Sequence, residues 1–222
     1  MKKEVKEYPV KTILINYKEK PFYEFLKRTV DICASGLGII LSSWLMLIIA
    51  ILIKCTSKGP VLYKSIRYTK NGKPFVFLKF RSMVDKAEDL HEEMMDQDSG
   101  NSDGVRLKIK NDPRVTKIGK FLRKTSLDEL PQLFNIFGGS MTIVGPRPAI
   151  ASEIEKYSDR EMQRLLVKQG LTCIWQCSGR SNVSFKEQVE MDIEYIEKRG
   201  FWFDIWLILK TIPAVLFAKG AE

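Results

Sequence analysis

The stretch ICASGLGIILSSWLMLIIAILI, residues 32–53, decides the fold because it contains roughly 22 residues and no charge. A helix of that length measures about 33 Å, which is enough to cross the hydrocarbon core of a bilayer. About 30 mostly polar residues precede it and no small-residue cleavage site follows, which excludes a cleaved signal peptide. The sequence therefore predicts a protein that this segment holds in a membrane.

Basic residues flank the apolar segment on both sides, up to Arg28 before it and from Lys54 onwards after it. Because positive charge marks the cytoplasmic flank of a membrane segment, a spanning helix would translocate one basic flank. A re-entrant helix hairpin that bends near Ser42 and Ser43 keeps both flanks on one face, since serine hydroxyls can bind carbonyls freed at a bend. Re-entry is the favoured interpretation, and a single spanning helix is the alternative.

The composition excludes several classes of protein. The chain carries 36 Lys and Arg against 27 Asp and Glu, a net charge of +9, and 45% of its residues are hydrophobic. That hydrophobic share can fill a core, which excludes a disordered tail, a collagen and a disulfide mini-scaffold. The four cysteines form no C-x-x-C pair and the single histidine, His91, is far from them, so neither a zinc site nor a disulfide is expected.

The sequence divides into an N-terminal extension at 1–21, the re-entrant membrane helix at 22–58 and a cytosolic, membrane-associated domain at 59–222. Two β-rich stretches on either side of Asn71 and Gly72 predict a small β-hairpin. Most other segments predict helices, including an acidic one at about 84–98, before a polar loop at 99–104. The fold class is therefore α+β and mostly helical, with a compact cytosolic domain.

Residues 201–217 are aromatic and apolar, but Asp204, Lys210 and Pro213 interrupt them. This pattern favours an amphipathic helix in the headgroup region, with Trp202 as one of its interfacial anchors. A buried core helix is the alternative.

The densest cluster of candidate catalytic residues contains Asp128 and Glu129. They follow Arg123 and precede Pro131, which belongs in the first turn of a helix, so both carboxylates are expected at a helix N-terminus, where anions such as phosphate bind. With one histidine and no glycine-rich nucleotide loop, any chemistry must rest on carboxylates, arginines and lysines. The spacing of Ser126 and Glu129 also fits a capping box that needs no function.

Two further clusters are basic. The KFRSM stretch at 79–83 places Lys79 and Arg81 at the end of the predicted hairpin, and the prolines of GPRP at 145–148 hold Arg147 in place. Taken separately, these clusters also fit a solvated strand edge and an ordinary turn.

Together these motifs resemble the bacterial sugar transferases called monotopic phosphoglycosyl transferases. The resemblance rests on the apolar run followed, in order, by KFRSM, SLDELPQ at 126–132, VGPRP at 144–148, WQ at 175–176 and SGR at 178–180. It covers about residues 22–216 in a core-only form of the family.

The resemblance implies transfer of a sugar 1-phosphate from a UDP-sugar to undecaprenyl phosphate, with release of UMP, as the first membrane step of polysaccharide or glycoconjugate synthesis. It implies a re-entrant enzyme on the cytoplasmic face of the bacterial inner membrane, with Mg²⁺ held at Asp128. Asp128 would form a phosphosugar-aspartate with the help of Glu129. Because an anionic nucleophile attacks an anionic diphosphate, cations are needed, and the candidates for phosphate binding are Lys79, Arg81, Arg123, Arg147 and Arg180.

Two other classes of protein remain open. A non-catalytic peripheral module could bind anionic lipid in the inner leaflet through its basic surface, and a nucleic-acid binder could use the same charge. The second lacks a recognisable module, so nucleic acid is not expected as a partner; a homodimer is left open. Release of UMP from a UDP-sugar and a prenyl phosphate would discriminate an enzyme from a scaffold.

Overall fold

A computed structural model describes residues 6–85, 87, 112–178 and 183–216. Its described part is mostly helical. The helices are α1 (Pro21–Thr56), α2 (Lys117–Lys124), α3 (Gln132–Phe137), α4 (Ala151–Ile154), α5 (Asp159–Met162), α6 (Ile174–Ser178), α7 (Phe185–Lys198) and α8 (Phe201–Leu216). The strands are β1 (Leu62–Tyr68), β2 (Pro74–Phe80), β3 (Thr142–Val144) and β4 (Gly170–Thr172). The acidic helix expected at 84–98, apart from 84, 85 and 87, and the loop expected at 99–104 lie outside the described residues.

The apolar segment forms α1, an uninterrupted helix of 36 residues. Among the described residues it is the one helix long and apolar enough to cross a membrane. The expected break near Ser42 and Ser43 is not confirmed, because both residues lie inside α1. Their hydroxyls donate to the carbonyls of Gly38 and Ile40, so they bind carbonyls within the helix instead of at a break.

The N-terminal half of α1 is fixed by polar contacts. Arg28 donates two hydrogen bonds of 2.7 Å to the carbonyls of Ile136 and Phe137 at the end of α3. Asp31, which is buried, accepts the backbone N–H of Ile143 on β3 at 2.9 Å. These contacts bind carbonyls at a helix end and an N–H of a strand, which docks α1 on the domain.

The C-terminal half of α1 packs through apolar contacts. Ile49 and Ile53 are buried in one cluster with Phe80 of β2 and Leu122 of α2. The outward side of α1 stays exposed: Ile40, Leu41 and Trp44 expose 72%, 64% and 64% of their surfaces. One domain therefore contacts α1 along both halves, while an apolar face remains free for lipid.

The predicted β-hairpin is confirmed. Strands β1 and β2 pair antiparallel from Leu62 with Phe80 to Tyr68 with Pro74. The turn uses Asn71 at φ 58° and Gly72 at φ 63°, a backbone region that these two residue types tolerate. A second sheet, in which β3 pairs parallel with β4, was not predicted.

The helix α8 is two-sided. Its buried Asp204 accepts hydrogen bonds from Tyr23, Lys27 and Tyr195, which joins α8 to α1 and α7. Trp202 faces outward with 80% of its surface exposed. The charge that interrupts the apolar pattern thus belongs to a buried network, and the outward aromatic face fits the amphipathic interpretation better than that of a fully buried core helix.

Candidate functional site

The Asp128 and Glu129 carboxylates lie on a tight turn between α2 and α3. Ser126 adopts a left-handed conformation at φ 58°, and a single 3₁₀ turn over Leu127–Glu129 follows. A non-glycine residue in this region is uncommon and stores strain, which is frequent at functional sites. The side chain of Ser126 makes no capping hydrogen bond, so the capping-box interpretation is wrong and the acids are not explained by helix capping.

Lys79 brings the end of β2 to this turn. Its Nζ atom lies 2.7 Å from Glu129 Oε1 and 3.5 Å from Asp128 Oδ2. The Asp128 side chain is only 8% exposed, against 31% for Glu129, so the two acids occupy different environments. Two sequence motifs that are about fifty residues apart therefore form one site.

The two carboxyl groups titrate in opposite directions. Burial raises the pKa of Asp128 and the negative charge of Glu129 adds to this, while Lys79 and Arg123 oppose it. Burial would also raise the pKa of Glu129, but Lys79 and then Arg147 outweigh it, so that pKa is lowered. Paired acids with diverging pKa values are typical of catalytic sites. Lys79 thus holds Glu129 as the anion, whereas burial shifts Asp128 towards its neutral form.

Arg123 lies beside the carboxylate pair. Its Nε donates to Ser82 Oγ at 2.9 Å, which fixes its half-buried guanidinium, and its charge acts on Asp128. Arg123 thus adds positive charge beside Asp128.

Arg147 also belongs to this region, in the loop after β3. Burial lowers the pKa of its guanidinium, the positive charge of Arg67 adds to this, and Glu129 partly offsets it. Within the described ranges Arg147 has no hydrogen bond or salt bridge, so its N–H groups can donate to an anionic ligand.

Sequence reasoning missed Arg67 of β1. Its Nη1 donates to the carbonyl of Pro148 at 2.8 Å, and its guanidinium lies 4.9 Å from the centre of the Phe77 ring. It therefore holds the loop that carries Arg147 and adds positive charge there. A basic residue on a predicted hairpin strand reads as solvent-exposed, so only the packing of the 145–148 loop against β1 reveals this position.

Arg81 contacts the end of α1 in the structure. Its Nη2 donates to the Ser57 carbonyl at 2.9 Å and to Ser57 Oγ at 2.7 Å, so it binds the end of α1 and does not join the carboxylates. Residues two apart share a face only within a strand, and β2 ends at Phe80. Arg81 therefore points away from the face that Lys79 occupies.

We expect Arg81→Met to lower stability by about 1–3 kcal/mol, because it removes buried charge-assisted hydrogen bonds to α1. Thermal unfolding in detergent measures this. Arg160→Met, which removes an exposed ion pair with Glu190, should leave the unfolding temperature nearly unchanged. An Arg81→Met protein with unchanged stability and lost turnover would instead return Arg81 to the site.

Arg180 lies outside the described residues, as does Gly179, so the structure places neither. The preceding α6 is described, and its Trp175 is buried.

The donor set at the carboxylate pair fits a magnesium ion. The described residues contain no group of three or more His, Cys, Asp or Glu that could hold a metal. Mg²⁺, however, commonly binds one or two carboxylates and completes its shell with water and substrate phosphate. Asp128 Oδ1 has no hydrogen bond to any described residue and is available as such a ligand.

An apolar helix along one side of the domain and a buried carboxylate among cations define a class: a membrane-associated enzyme for phosphate-bearing substrates. The family model described as bacterial sugar transferase matches residues 22–218. The chain therefore belongs to the bacterial sugar transferase family.

Relatives agree with this assignment. The exopolysaccharide production protein ExoY of Rhizobium meliloti is 40% identical over 204 residues, 91% of this chain and 90% of that protein. The undecaprenyl-phosphate galactose phosphotransferase of Salmonella typhimurium is 42% identical over 200 residues, 89% of this chain but 42% of that protein. The UDP-glucose:undecaprenyl-phosphate glucose-1-phosphate transferase of Klebsiella pneumoniae is 42% identical over 203 residues, 88% of this chain and 41% of that protein. The chain thus spans most of the first relative and less than half of the other two.

Proposed function

We propose that this protein transfers a sugar 1-phosphate from a UDP-sugar to undecaprenyl phosphate and releases UMP, as the first membrane step of polysaccharide or glycoconjugate synthesis. The observation that carries the proposal is the buried Asp128 beside a Glu129 that Lys79 neutralises, in a domain docked along α1. The names of the Salmonella and Klebsiella relatives support the same reaction.

In the first step, an Asp128 carboxylate oxygen attacks the phosphorus that carries the sugar. A bond forms between this oxygen and phosphorus, and the bond from phosphorus to the bridging oxygen of the diphosphate breaks. The bridging oxygen leaves with the electron pair as part of UMP. Asp128 then carries the sugar 1-phosphate as an acyl phosphate.

The surrounding cations make this attack feasible, because nucleophile and diphosphate are both negative. Lys79 neutralises Glu129 and contacts Asp128, Arg123 offsets charge at Asp128, and Arg147 offers unpaired donors to the phosphates. Arg180 is proposed as a further phosphate ligand from the resemblance alone. Mg²⁺, held by Asp128 and the substrate phosphates, would supply a Lewis acid that withdraws charge from the diphosphate.

In the second step, a phosphate oxygen of the lipid attacks the same phosphorus. The new phosphorus–oxygen bond forms the lipid diphosphate, and the bond to Asp128 breaks, which restores its carboxylate. Lys79 and Arg147 again offset the charge of the anionic acceptor.

We also propose that α1 is re-entrant on the cytoplasmic face of the inner membrane. Arg28 and Ile53 contact the same domain, yet they would be about 38 Å apart along a straight helix. A domain with polar loops cannot follow the helix through the hydrocarbon core, so both ends of α1 belong on one side of the bilayer. The basic flanks at both ends support the same topology.

Cysteine labelling in intact cells tests the topology. Cys33 and Cys55, both exposed, are replaced by serine, and a reporter cysteine is placed at Lys6 or, in a second protein, at Lys70. We expect both reporters to resist an impermeant thiol reagent until the inner membrane is opened. Labelling of the Lys6 reporter alone in cells with a permeable outer barrier would show a spanning helix.

Release of UMP tests the reaction. The purified protein is incubated with undecaprenyl phosphate, Mg²⁺ and, in turn, UDP-galactose, UDP-glucose, UDP-N-acetylglucosamine or a UDP-bacillosamine-type sugar. We expect UMP from at least one donor, a matching lipid-linked product, and loss of both on chelation with EDTA. A peripheral lipid-binding module would release no UMP from any of them.

A further inference from the structure

One face of α2 carries three lysines and a phenylalanine, all exposed. Lys117, Lys120, Phe121 and Lys124 form this α2 lysine surface, and 55% of the Phe121 surface is exposed. Their spacing of three, four and seven residues places them on one side of the helix. Within the described residues none of the three lysines makes an ion pair or a hydrogen bond.

The opposite face of α2 fixes where this surface lies. Leu122 is fully buried with Ile49 and Ile53 of α1, in the last residues before α1 reaches Lys54. Gly119 presses against the chain at Ser82, where an added Cβ would overlap the carbonyl oxygen. These two contacts place α2 at the point where the apolar run of α1 ends.

The charge of the surface has no counterpart in the helix itself. α2 contains no acidic residue, and its single arginine, Arg123, turns inward to donate to Ser82. Like charges at this spacing repel each other, and an exposed aromatic ring between them has no apolar cover among the described residues. Lysines around an aromatic anchor are the pattern of a helix that lies on an anionic membrane surface.

We propose that the α2 lysine surface binds the headgroups of anionic phospholipids, with the Phe121 ring at the boundary of the acyl chains. The inference rests on the proposed position of α1 in the bilayer and is independent of the chemistry at Asp128. Each lysine near an anionic surface strengthens binding by about fivefold.

This contact has a consequence for the site. α2 leads directly into the turn that carries Asp128, and its Arg123 lies beside that carboxylate. Anchoring α2 among lipid headgroups holds the nucleophile at the depth where the phosphate of a lipid acceptor lies.

Spin-labelled lipids test the proposal on the full chain in phosphatidylcholine nanodiscs. The measurement is the fraction of labelled phosphatidylglycerol that the protein immobilises, divided by the same fraction for labelled phosphatidylcholine. We expect a ratio of several-fold for the parent and about one for the variant with glutamine at Lys117, Lys120 and Lys124. The matched control carries glutamine at Lys11, Lys73 and Lys186, three exposed lysines on other elements, and should keep the parent's ratio.

Two outcomes overturn the proposal: a parent ratio of about one, or an equal fall in both triple variants, which would reflect net charge only. Arginine at the same three α2 positions should restore the ratio, which excludes misfolding as the cause of the loss. UMP release in pure phosphatidylcholine should be similar in parent and variants. Absence of UMP release in every lipid would count against the proposed reaction. The ratio of immobilised phosphatidylglycerol to phosphatidylcholine would still decide whether the α2 lysine surface binds anionic lipid.

Discussion

Asp128→Asn is expected to lower turnover by at least about 10⁴-fold, because the amide keeps the shape of the side chain but cannot act as the nucleophile. UMP release under saturating UDP-sugar and lipid phosphate measures the loss. Asp159→Asn, an exposed acid at the start of α5, is the matched control and should retain parent activity. Activity of Asp128→Asn within tenfold of the parent would remove Asp128 from the mechanism.

The same variant should not be less stable than the parent. Burial raises the pKa of Asp128 in the folded protein, so its neutral form favours folding. This contribution is fully present below the pKa of the unfolded chain and is lost as the pH rises through the folded pKa. At pH 7, without ligands, Asp128→Asn should therefore unfold at an equal or higher temperature, and the difference should vanish in acid. A marked fall in its unfolding temperature would mean that lost turnover reflects lost fold.

Lys79→Met is expected to lower kcat by about 10²–10³-fold, the usual cost of removing one charged group that stabilises a transition state. Lys79 is the main cation that lowers the pKa of Asp128. Its removal therefore raises that pKa further, and since the nucleophile must be ionised, the acidic limb of the pH profile should move to higher pH. Both effects are measured in one series of UMP-release assays across pH.

Two variants serve as controls for Lys79. Lys64→Met removes an exposed lysine from β1 and should change neither kcat nor the pH profile. Lys79→Arg keeps the charge and should recover part of the rate. If Lys79→Met lowered kcat by less than about threefold with an unmoved acidic limb, Lys79 would be an ordinary surface partner of Glu129.

Much of the site could be predicted because local sequence carries it. A run without charges predicts α1, and Asn71 with Gly72 predicts the hairpin turn. Asp128 with Glu129 before a proline indicates a polar turn, although the turn is 3₁₀ and not the first turn of an α-helix. These features are determined by residues that are adjacent along the chain, so the sequence alone is enough to predict them.

The features that could not be predicted from the sequence depend on contacts between residues that are distant along the chain. Asn135 accepts the backbone N–H of Leu78 and donates to the carbonyl of Val76, so its amide pairs with β2 as a strand would. This bond ties α3 to β2 and sets Lys79 opposite Glu129, yet no local pattern marks the asparagine for it. The contact of Arg81 with Ser57 is likewise not marked by any local pattern, since the end of β2 and the position of α1 decide its direction.

The mass of the intact protein tests the central claim most directly. The parent and Asp128→Asn are each incubated with a UDP-sugar that supports turnover, and with Mg²⁺, but without a lipid acceptor. We expect the parent to gain one phosphosugar on the peptide that contains Asp128 and to release UMP in an amount equal to the protein. The added mass should be lost when undecaprenyl phosphate is supplied. Asp128→Asn should gain nothing. Full turnover with lipid, but neither added mass nor UMP without it, would contradict the covalent mechanism and indicate direct transfer between the two substrates.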